Sequence, residues 1–387
     1  MSNKKKQIIE GSQAIAAVIN NIKPAVVSAY PITPQTHIVE KLAKLKADGE
    51  ASFEYVRAES EFAAASIILG SSAAGVRVYS ATSSQGLLLM SEVVFNIAGM
   101  RLPIVMTCAN RAVSSPINIW NDHSDVMTIR DAGWINLFAG NNQEAVDLHI
   151  LAYKIAEQLN IPVMVNVDGF ILTHAYEPVI VPDAKTIKKY LPDYKPTTGN
   201  YLDPNNPITM GAFFTPAHYF ETRENLHNDL LNSLSVIKKE YKSLIKILGR
   251  NNKDNGLVEY YGPKKPETIL VAMGSVIGTV REAIISDEKY KNKVGVLKIK
   301  TYRPFPSEEI NKILNRAKNV AVIEKALSLG SAGPLFSDIK TSLVNHKLNL
   351  SNYIVGLGGR DVTEKMIKEI IISAKKNNKV IKFIAKI

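Results

Sequence analysis

The sequence is poor in cysteine, with Cys108 as the single thiol in 387 residues. One cysteine cannot form an intrachain disulfide, and it cannot alone hold zinc or an iron–sulfur cluster, which usually takes about four protein ligands. The seven histidines include no HxxxH or HExxH pair, so their spacing predicts no histidine metal site. We therefore expect any redox metal that serves this protein to lie on another chain.

Long apolar runs are also missing. No stretch approaches the roughly 20 uninterrupted apolar residues that a membrane span needs, and residues 1–6 lead into no signal-type apolar segment. The 46% hydrophobic and 21% charged residues are typical of a globular protein. These features predict a soluble, cytoplasmic protein that makes no membrane contact.

Positive charge is confined to one part of the chain. Residues 1–250 hold 23 bases and 23 acids, whereas residues 251–387 hold 24 bases and 13 acids. Most of the excess bases are lysines that are not interleaved with aromatic residues, so the pattern argues against nucleic-acid binding. An acidic partner or an anionic ligand of the last third is the alternative.

Apolar runs of strand length alternate with amphipathic runs of helix length, beginning with a predicted helix at about 7–22. This alternation predicts an α/β fold with parallel strands and helices on both faces, a doubly wound arrangement. Proline-rich residues 168–216 and a helix at about 218–248 close the first domain, 1–250. The polar, turn-rich segment 251–266 is predicted to be a linker, followed by a smaller α/β domain, 267–387. Strands are predicted at 25–30, 53–56, 76–79, 104–107, 135–138, 163–167, 268–272, 294–297, 320–323 and 353–355.

Ligands of open parallel sheets bind beyond the carboxyl ends of the strands, where this sequence places polar residues. After the first strand, two prolines in Tyr30–Pro34 fix the backbone around Thr33, whose hydroxyl either caps the next helix or meets a ligand. After the fourth strand comes Arg111, which can hold a carboxylate or pair with Asp122 or Asp125.

Two carboxylates, Glu59 and Glu61, open the helix after the second strand. The helix dipole favours acids at this end, so capping is one interpretation. Glu61 also shares a helix face with Ala64 and Ile68, which should be buried, and a buried carboxylate is costly without a partner. Glu61 is therefore a functional candidate, whereas Glu59 should point away from this face.

Two further loops could either cap the helix that follows them or bind an anion. Residues Ala81–Gly86 begin a helix and either cap it or accept an anion. In the second domain, Gly356–Asp361 lacks the GxGxxG spacing of a nucleotide loop. A tight turn, with Asp361 capping the next helix, fits it better than a phosphate site.

Together these motifs closely resemble the alpha subunits of the archaeal and bacterial pyruvate:ferredoxin oxidoreductase family, in order and over essentially the whole chain. The resemblance implies a thiamine diphosphate enzyme that oxidatively decarboxylates pyruvate, passes electrons to ferredoxin and yields acetyl-coenzyme A, or runs in reverse as a pyruvate synthase. It also implies a pyrimidine-binding first domain and a second domain like the transketolase C-terminal domain. The motifs are Tyr30–Pro34, Glu59–Glu61, Thr82–Gly86, Asn110–Arg111, Asp122–Asp125, Tyr302–Pro306 and Gly356–Asp361.

The resemblance also implies partner subunits. In the family, the diphosphate and its Mg²⁺ are bound through a Gly-Asp-Gly motif on another subunit, and this sequence has no Gly-Asp-Gly. The chain therefore holds half an active site and is expected to work with a beta subunit, which carries the diphosphate, Mg²⁺ and iron–sulfur cluster side. Gamma and delta subunits, coenzyme A as cosubstrate and ferredoxin as electron acceptor complete the expected system.

Residue roles follow from the resemblance by position. Glu61 would hydrogen-bond the pyrimidine ring nitrogen of the cofactor, and Tyr30 and Pro31 would contact it. Thr33 and Arg111 would bind the carboxylate of the 2-oxo acid. The substrate side would be lined by Ile32 and the loop 112–125.

The substrate is expected to be a monocarboxylate. No cation stands between Tyr30 and Thr33 to recognise a second carboxylate, which favours pyruvate over 2-oxoglutarate. Related branches that act on 2-oxobutyrate or branched-chain 2-oxo acids stay open. Two other classes of protein fit the sequence less well. A non-catalytic scaffolding subunit would be expected to lose Glu61 or Arg111, and both are present. An unrelated nucleotide-binding protein would carry a glycine-rich loop after its first strand, where Tyr30–Pro34 stands instead.

Overall fold

The computed structural model describes residues 6–252, 254–344, 348–376 and 381–385. The first five residues and His346 lie outside these ranges. The described chain forms a seven-stranded sheet, a six-stranded sheet and a two-stranded pair, with helices between most successive strands. No helix in these ranges is both long enough and apolar enough to span a bilayer.

The first part of the chain follows the predicted alternation, apart from its start and from a strand and a helix, Tyr176–Val179 and Ala184–Tyr190, that lie in the proline-rich segment. Residues Gln7–Glu10 were predicted to begin a helix, but they form strand β1, which pairs antiparallel with β8. Its elements are β1 (Gln7–Glu10), α1 (Gly11–Ile22), β2 (Val26–Ala29), α2 (Thr36–Ala47), β3 (Glu54–Arg57), α3 (Glu61–Ala73), β4 (Val78–Thr82), α4 (Ser84–Leu89), α5 (Ser91–Gly99), β5 (Val105–Asn110), α6 (Ser124–Thr128), β6 (Ile135–Phe138), α7 (Asn142–Leu159), β7 (Val163–Asp168), β8 (Tyr176–Val179), α8 (Ala184–Tyr190) and α9 (Pro216–Leu248).

The second part adds its own sheet. The segment predicted as a linker contains a strand of that sheet, Val258–Tyr261. The last long helix is capped by Thr363, whose side chain accepts from the Met366 N–H, so the predicted cap by Asp361 is wrong. The elements are β9 (Val258–Tyr261), β10 (Thr268–Ala272), α10 (Val276–Ile285), α11 (Glu288–Lys291), β11 (Val294–Ile299), β12 (Thr301–Arg303), α12 (Ser307–Leu314), β13 (Asn319–Glu324), α13 (Pro334–Ser342), β14 (Asn349–Ile354), a 3₁₀ turn (Leu357–Gly359), α14 (Glu364–Ala374) and β15 (Lys382–Phe383).

The larger sheet has the strand order β12-β6-β7-β5-β4-β2-β3. All its pairings are parallel except that of β12 with β6. Strands β5 and β7 are buried along their whole length, as expected for central parallel strands covered on both faces. The smaller sheet has the order β15-β14-β13-β10-β11-β9, and only β9 runs antiparallel to its neighbour.

The two sheets are joined by a shared core and by buried ion pairs. One apolar cluster runs from Ala14 in the first part to Leu343 in the second. Lys300, directly after β11, is fully buried, and its Nζ lies 3.4 Å from Glu144 Oε1 of α7 and 2.9 Å from the Tyr241 hydroxyl of α9. Desolvation lowers the pKa of Lys300, but the surrounding negative groups outweigh it and hold the pKa well above its ordinary value. These buried contacts connect α7 and α9 of the first part to the second part of the chain.

Candidate active site

The residues predicted to carry function lie at one edge of the larger sheet. Strands β2, β4 and β5 lead at their carboxyl ends into the Tyr30–Pro34 turn, the start of α4 and Arg111. Strand β3 pairs with β2 and leads towards Glu61 at the start of α3. Because these strands are parallel, the four loops share one edge, which we call the strand-end rim.

The turn that follows β2 is held by a buried amide. Gln35 donates from Nε2 to the carbonyl oxygens of Tyr30 and Ala81, both at 2.9 Å. Helix α2 begins at Thr36 without a side-chain cap, so Thr33 does not serve as its cap. The predicted site residues of this turn are the exposed Tyr30, Pro31 and Thr33 and the half-buried Ile32.

Glu61 is the first residue of α3 and is only 8% exposed. Ser60 caps the helix by accepting a hydrogen bond from the Ala63 N–H at 3.1 Å, so the acid is not needed as a cap. In the described chain, no donor hydrogen-bonds the Glu61 carboxylate. The burial prediction for its helix face is confirmed by buried Ala64, Ala65 and Ile68 and exposed Glu59.

A glycine allows α4 to approach Glu61 closely. A Cβ atom on Gly86 would lie 2.8 Å from Glu61 Oε1 and 2.7 Å from Thr82 Oγ1, distances that real Cβ atoms do not show. The Thr82 hydroxyl and the Gln85 amide nitrogen are buried without a hydrogen-bond partner among the described residues. Leaving such groups unpaired costs roughly 1–3 kcal/mol each. This part of the rim therefore has polar atoms beside the Glu61 carboxylate that are free to hydrogen-bond a ligand.

Arg111, at the end of β5, is 9% exposed. Its Nε and Nη1 donate to the carbonyl oxygens of Asn118 and Thr33, both at 2.9 Å, and Nη2 lies 3.4 Å from Gln85 Oε1. Desolvation lowers the pKa of Arg111, against a smaller effect of Asp125. The guanidinium thus links the loops after β2, β4 and β5 through neutral acceptors.

The predicted alternative for Arg111, a structural ion pair with Asp122 or Asp125, is not what the structure shows. Asp125 instead accepts from the backbone N–H groups of Arg111 at 2.9 Å and Ser84 at 3.1 Å and from Asn110 Nδ2 at 3.1 Å. Desolvation raises the pKa of this buried carboxyl, although its donors lower it. Asp125 therefore fixes the end of β5 against the start of α4, a role that sequence reasoning missed.

A second buried network connects the rim with the smaller sheet. Asp168, at the end of β7, lies 2.8 Å from His123 Nε2, 2.5 Å from Ser275 Oγ and 3.3 Å from Lys325 Nζ. Burial alone would raise the pKa of Asp168, but Lys325 and His123 hold it well below its usual range. Sequence reasoning missed this network, for which the only signal was an acid directly after an apolar strand.

The Gly356–Asp361 turn packs against the loop 112–125. Asn118 Nδ2 donates to the Gly358 carbonyl oxygen, and the Gly358 N–H donates to Asp122 Oδ2, both at 3.1 Å. The turn therefore supports the loop on the expected substrate side.

Two family models match this chain. One, described as "Pyruvate flavodoxin/ferredoxin oxidoreductase, thiamine diP-bdg", matches residues 17–242. The chain belongs to the pyruvate:ferredoxin oxidoreductase family. The other model, "Pyruvate:ferredoxin oxidoreductase core domain II", matches residues 266–386. The resemblance to the pyruvate:ferredoxin oxidoreductase family and the α/β class with a thiamine-diphosphate-binding first domain are thereby confirmed.

Relatives in the pyruvate:ferredoxin oxidoreductase family are similar over nearly their full length. Pyruvate synthase subunit PorA of Methanosarcina barkeri is 45% identical, over 96% of this chain and 93% of the relative. Subunit PorA of Methanocaldococcus jannaschii is 46% identical, over 94% of each chain. Ketoisovalerate oxidoreductase subunit VorA of Pyrococcus abyssi is 40% identical, over 96% of this chain and 94% of the relative.

Solved structures show the same fold. A 2-oxoglutarate:ferredoxin oxidoreductase from Magnetococcus marinus aligns with 97% of this chain at a TM-score of 0.72 and 21% identity, and the alignment spans 66% of that chain. A split-gene transketolase aligns with 96% of this chain and 99% of its own at a TM-score of 0.56 and 11% identity. The second domain was predicted to resemble the transketolase C-terminal domain, and this alignment confirms the transketolase-like fold.

Proposed function

We propose that the chain is the alpha subunit of a multisubunit pyruvate:ferredoxin oxidoreductase. The complex converts pyruvate and coenzyme A to acetyl-CoA and CO₂, passes the electrons to ferredoxin, and can run in reverse as a pyruvate synthase. The observation that carries the proposal is the strand-end rim, where a nearly buried Glu61 without a protein donor and an Arg111 guanidinium without a carboxylate partner in the described chain occupy one edge. An acid can hold a proton on the cofactor, and a cation can bind the carboxylate of a 2-oxo acid.

Glu61 and its neighbours fit the aminopyrimidine half of thiamine diphosphate. The carboxylate, the Thr82 hydroxyl and the Gln85 amide nitrogen have no protein partner in the described chain, and a ring that carries nitrogen atoms and an amino group would satisfy such atoms. When bound, thiamine diphosphate supplies the carbon that adds to the 2-oxo acid and the electron sink for decarboxylation. The role of Glu61 is to hold a proton at the pyrimidine ring nitrogen, while Tyr30 and Pro31 contact the cofactor.

Arg111 and Thr33 bind the substrate carboxylate in this proposal. Arg111 already holds the Thr33 carbonyl oxygen at 2.9 Å, so the hydroxyl of Thr33 and the guanidinium are parts of one rigid unit. Charge-assisted hydrogen bonds to a carboxylate orient it as well as bind it. Ile32 and the loop 112–125 line the side of the methyl group.

A second candidate substrate class comes from the VorA relatives. Their 40% identity is close to that of the PorA relatives, so branched-chain 2-oxo acids and 2-oxobutyrate belong in the test. The purified complex should be assayed with pyruvate, 2-oxobutyrate and 2-oxoisovalerate in the presence of coenzyme A and ferredoxin. We expect the highest kcat/KM with pyruvate, and a higher value for the branched acid would transfer the proposal to that branch.

Partner subunits complete the site. We propose that gamma and delta subunits complete a cytoplasmic complex and that no nucleic acid or membrane takes part. We also propose that a beta subunit binds the diphosphate with Mg²⁺ and carries iron–sulfur clusters. The support is the absence of a Gly-Asp-Gly motif and the single cysteine.

The isolated chain should be inactive. We expect no pyruvate-dependent reduction of ferredoxin by this polypeptide alone, and thiamine diphosphate binding at least about tenfold weaker than in the complex, because half of the polar contacts to the cofactor are missing. Isothermal titration of the chain with the cofactor, before and after partner subunits are added, measures this. Turnover by the chain alone would contradict the proposal.

The basic last third should give a salt-dependent reaction with an acidic partner. Lys375 is already paired with Glu267 at 2.7 Å, so the exposed Lys365 and Lys376 are the better targets. Exposed charges are screened over about 10 Å at 0.1 M salt. The double variant Lys365→Glu/Lys376→Glu should therefore lower the second-order rate with ferredoxin several-fold at low salt and little at high salt.

A matched control for this variant is Lys189→Glu, an exposed lysine of α8, which should leave the rate unchanged. Equal salt dependence in all three proteins would show that the charge of the last third plays no part in encounter with ferredoxin. The measurement is stopped-flow reduction of ferredoxin over a series of ionic strengths.

A further inference from the structure

Three side chains that can ligate a metal ion converge beside the strand-end rim. Glu10 ends β1, His37 lies in the first turn of α2, and His174 lies between β7 and β8. One ligand atom from each lies within 4.8 Å of the other two. The Nδ1 of His37 already lies 2.6 Å from Glu10 Oε1.

The residue types in this group suit zinc. Zinc binds imidazole nitrogen and carboxylate oxygen at about 2.0–2.2 Å, which places neighbouring ligand atoms roughly 3.3 Å apart. The three atoms would move by on the order of 1 Å to reach that spacing, and the His37 side chain, 43% exposed, has room to do so. Magnesium and calcium prefer all-oxygen sites, so the imidazole pair disfavours them.

The ring of His174 is oriented by its own loop. Its Nδ1 lies 2.8 Å from Thr173 Oγ1, which also accepts the Phe170 N–H at 2.8 Å. Imidazoles that bind metals usually engage their second ring nitrogen in a hydrogen bond, and this contact leaves Nε2 available.

The backbone around the group is also fixed. The N–H groups of Gly11 and Ser12, directly after Glu10, donate to the carbonyl oxygens of Ala175 at 3.1 Å and Thr173 at 2.9 Å. These bonds tie the segment with Glu10 to the segment with His174. The rings of His37 and His174 lie against each other, with centroids 4.5 Å apart. Preorganised ligands of this kind lower the cost of binding an ion.

We propose that Glu10, His37 and His174 bind a zinc ion, or a divalent ion of the same class, with the fourth position open to solvent. The site is separate from the residues assigned to cofactor and substrate and goes beyond the proposed function. The histidine spacing predicted no metal site because it tests for pairs on one helix, whereas these ligands come from three separate segments. A bound ion would fasten β1 to the start of α2.

The test measures zinc on the assembled complex, prepared without a histidine tag. After treatment with a chelator and dialysis against Zn²⁺, the wild-type complex should hold one more zinc per alpha chain than the His37→Gln and His174→Gln variants. Competition with a chromogenic chelator should show affinity at least about tenfold lower in each variant. Co²⁺ should give visible absorption bands of a nitrogen- and oxygen-ligated ion in the wild type only.

His218→Gln provides the matched control, because His218 is an exposed histidine of α9; it should keep the wild-type zinc content and affinity. If a histidine variant assembles poorly, Glu10→Gln tests the same site through its third ligand. A wild-type complex without this zinc, or equal zinc affinity in the wild type and all site variants, would overturn the proposal. Since no turnover is measured, either result leaves the proposed oxidoreductase function untouched.

Discussion

Glu61→Gln should reduce turnover of pyruvate by about two to four orders of magnitude in the assembled complex, the range found for positioned proton-transfer groups. Glutamine is nearly isosteric and can still hydrogen-bond, so the fold and the assembly should survive. It cannot hold a proton at the pyrimidine ring nitrogen as a carboxyl group does. Steady-state turnover, together with the rate at which the C2 hydrogen of bound thiamine diphosphate exchanges with deuterated water, measures the effect.

Glu59→Gln is the control in the same segment. Glu59 is exposed, whereas Glu61 is buried against α4, so the control should cost less than about tenfold. Slow exchange in Glu59→Gln with fast exchange in Glu61→Gln would show that the wrong carboxylate has been assigned. A scaffolding subunit would show wild-type turnover in both variants.

Arg111→Ala should raise the KM for pyruvate by about one to two orders of magnitude, because the substrate carboxylate would lose charge-assisted hydrogen bonds of roughly 1.5–3 kcal/mol each. Binding of thiamine diphosphate should change less than binding of pyruvate, since Arg111 does not contact Glu61 and approaches Gln85 only at Oε1, at 3.4 Å. Pyruvate kinetics and cofactor titration on the same preparations separate the two effects.

Arg111→Lys gives the comparison for charge alone. Lysine keeps the cation but cannot hold the Thr33 and Asn118 carbonyl oxygens and a carboxylate in one planar group, so it should recover only part of the affinity. If Arg111→Ala leaves pyruvate kinetics unchanged, the guanidinium serves only to connect the three loops.

Much of the fold follows from local pattern in the sequence. The apolar sequences of β5 and β7 predict buried strands, which the structure contains. Helical periodicity also predicted correctly that the face of α3 with Glu61 is buried. Strand β1 was mistaken for helix because its partner, β8, lies about 170 residues further along the chain, and local periodicity carries no information on such a pairing. The strand Val258–Tyr261 was not predicted, because it lies in a turn-rich segment and its partner, β11, is also distant in sequence.

The candidate site was predictable where one loop carried the signal. Glu61 and Arg111 each follow a strand, so the rule for strand ends found them. The buried network of Asp168, His123 and Lys325 and the group of Glu10, His37 and His174 join segments that are distant in sequence. Their chemistry depends on distances between side chains, which spacing along one chain does not encode.

The short strand β12 has a consequence for how this chain can be divided. It leaves the second part of the chain and pairs with β6, at the border of the larger sheet. A fragment that stops near residue 250 would present β6 with a row of unsatisfied N–H and C=O groups, the kind of border that recruits strands from other molecules. The two matched segments therefore share one sheet, and a cut near residue 250 would separate β12 from the strand that it pairs with.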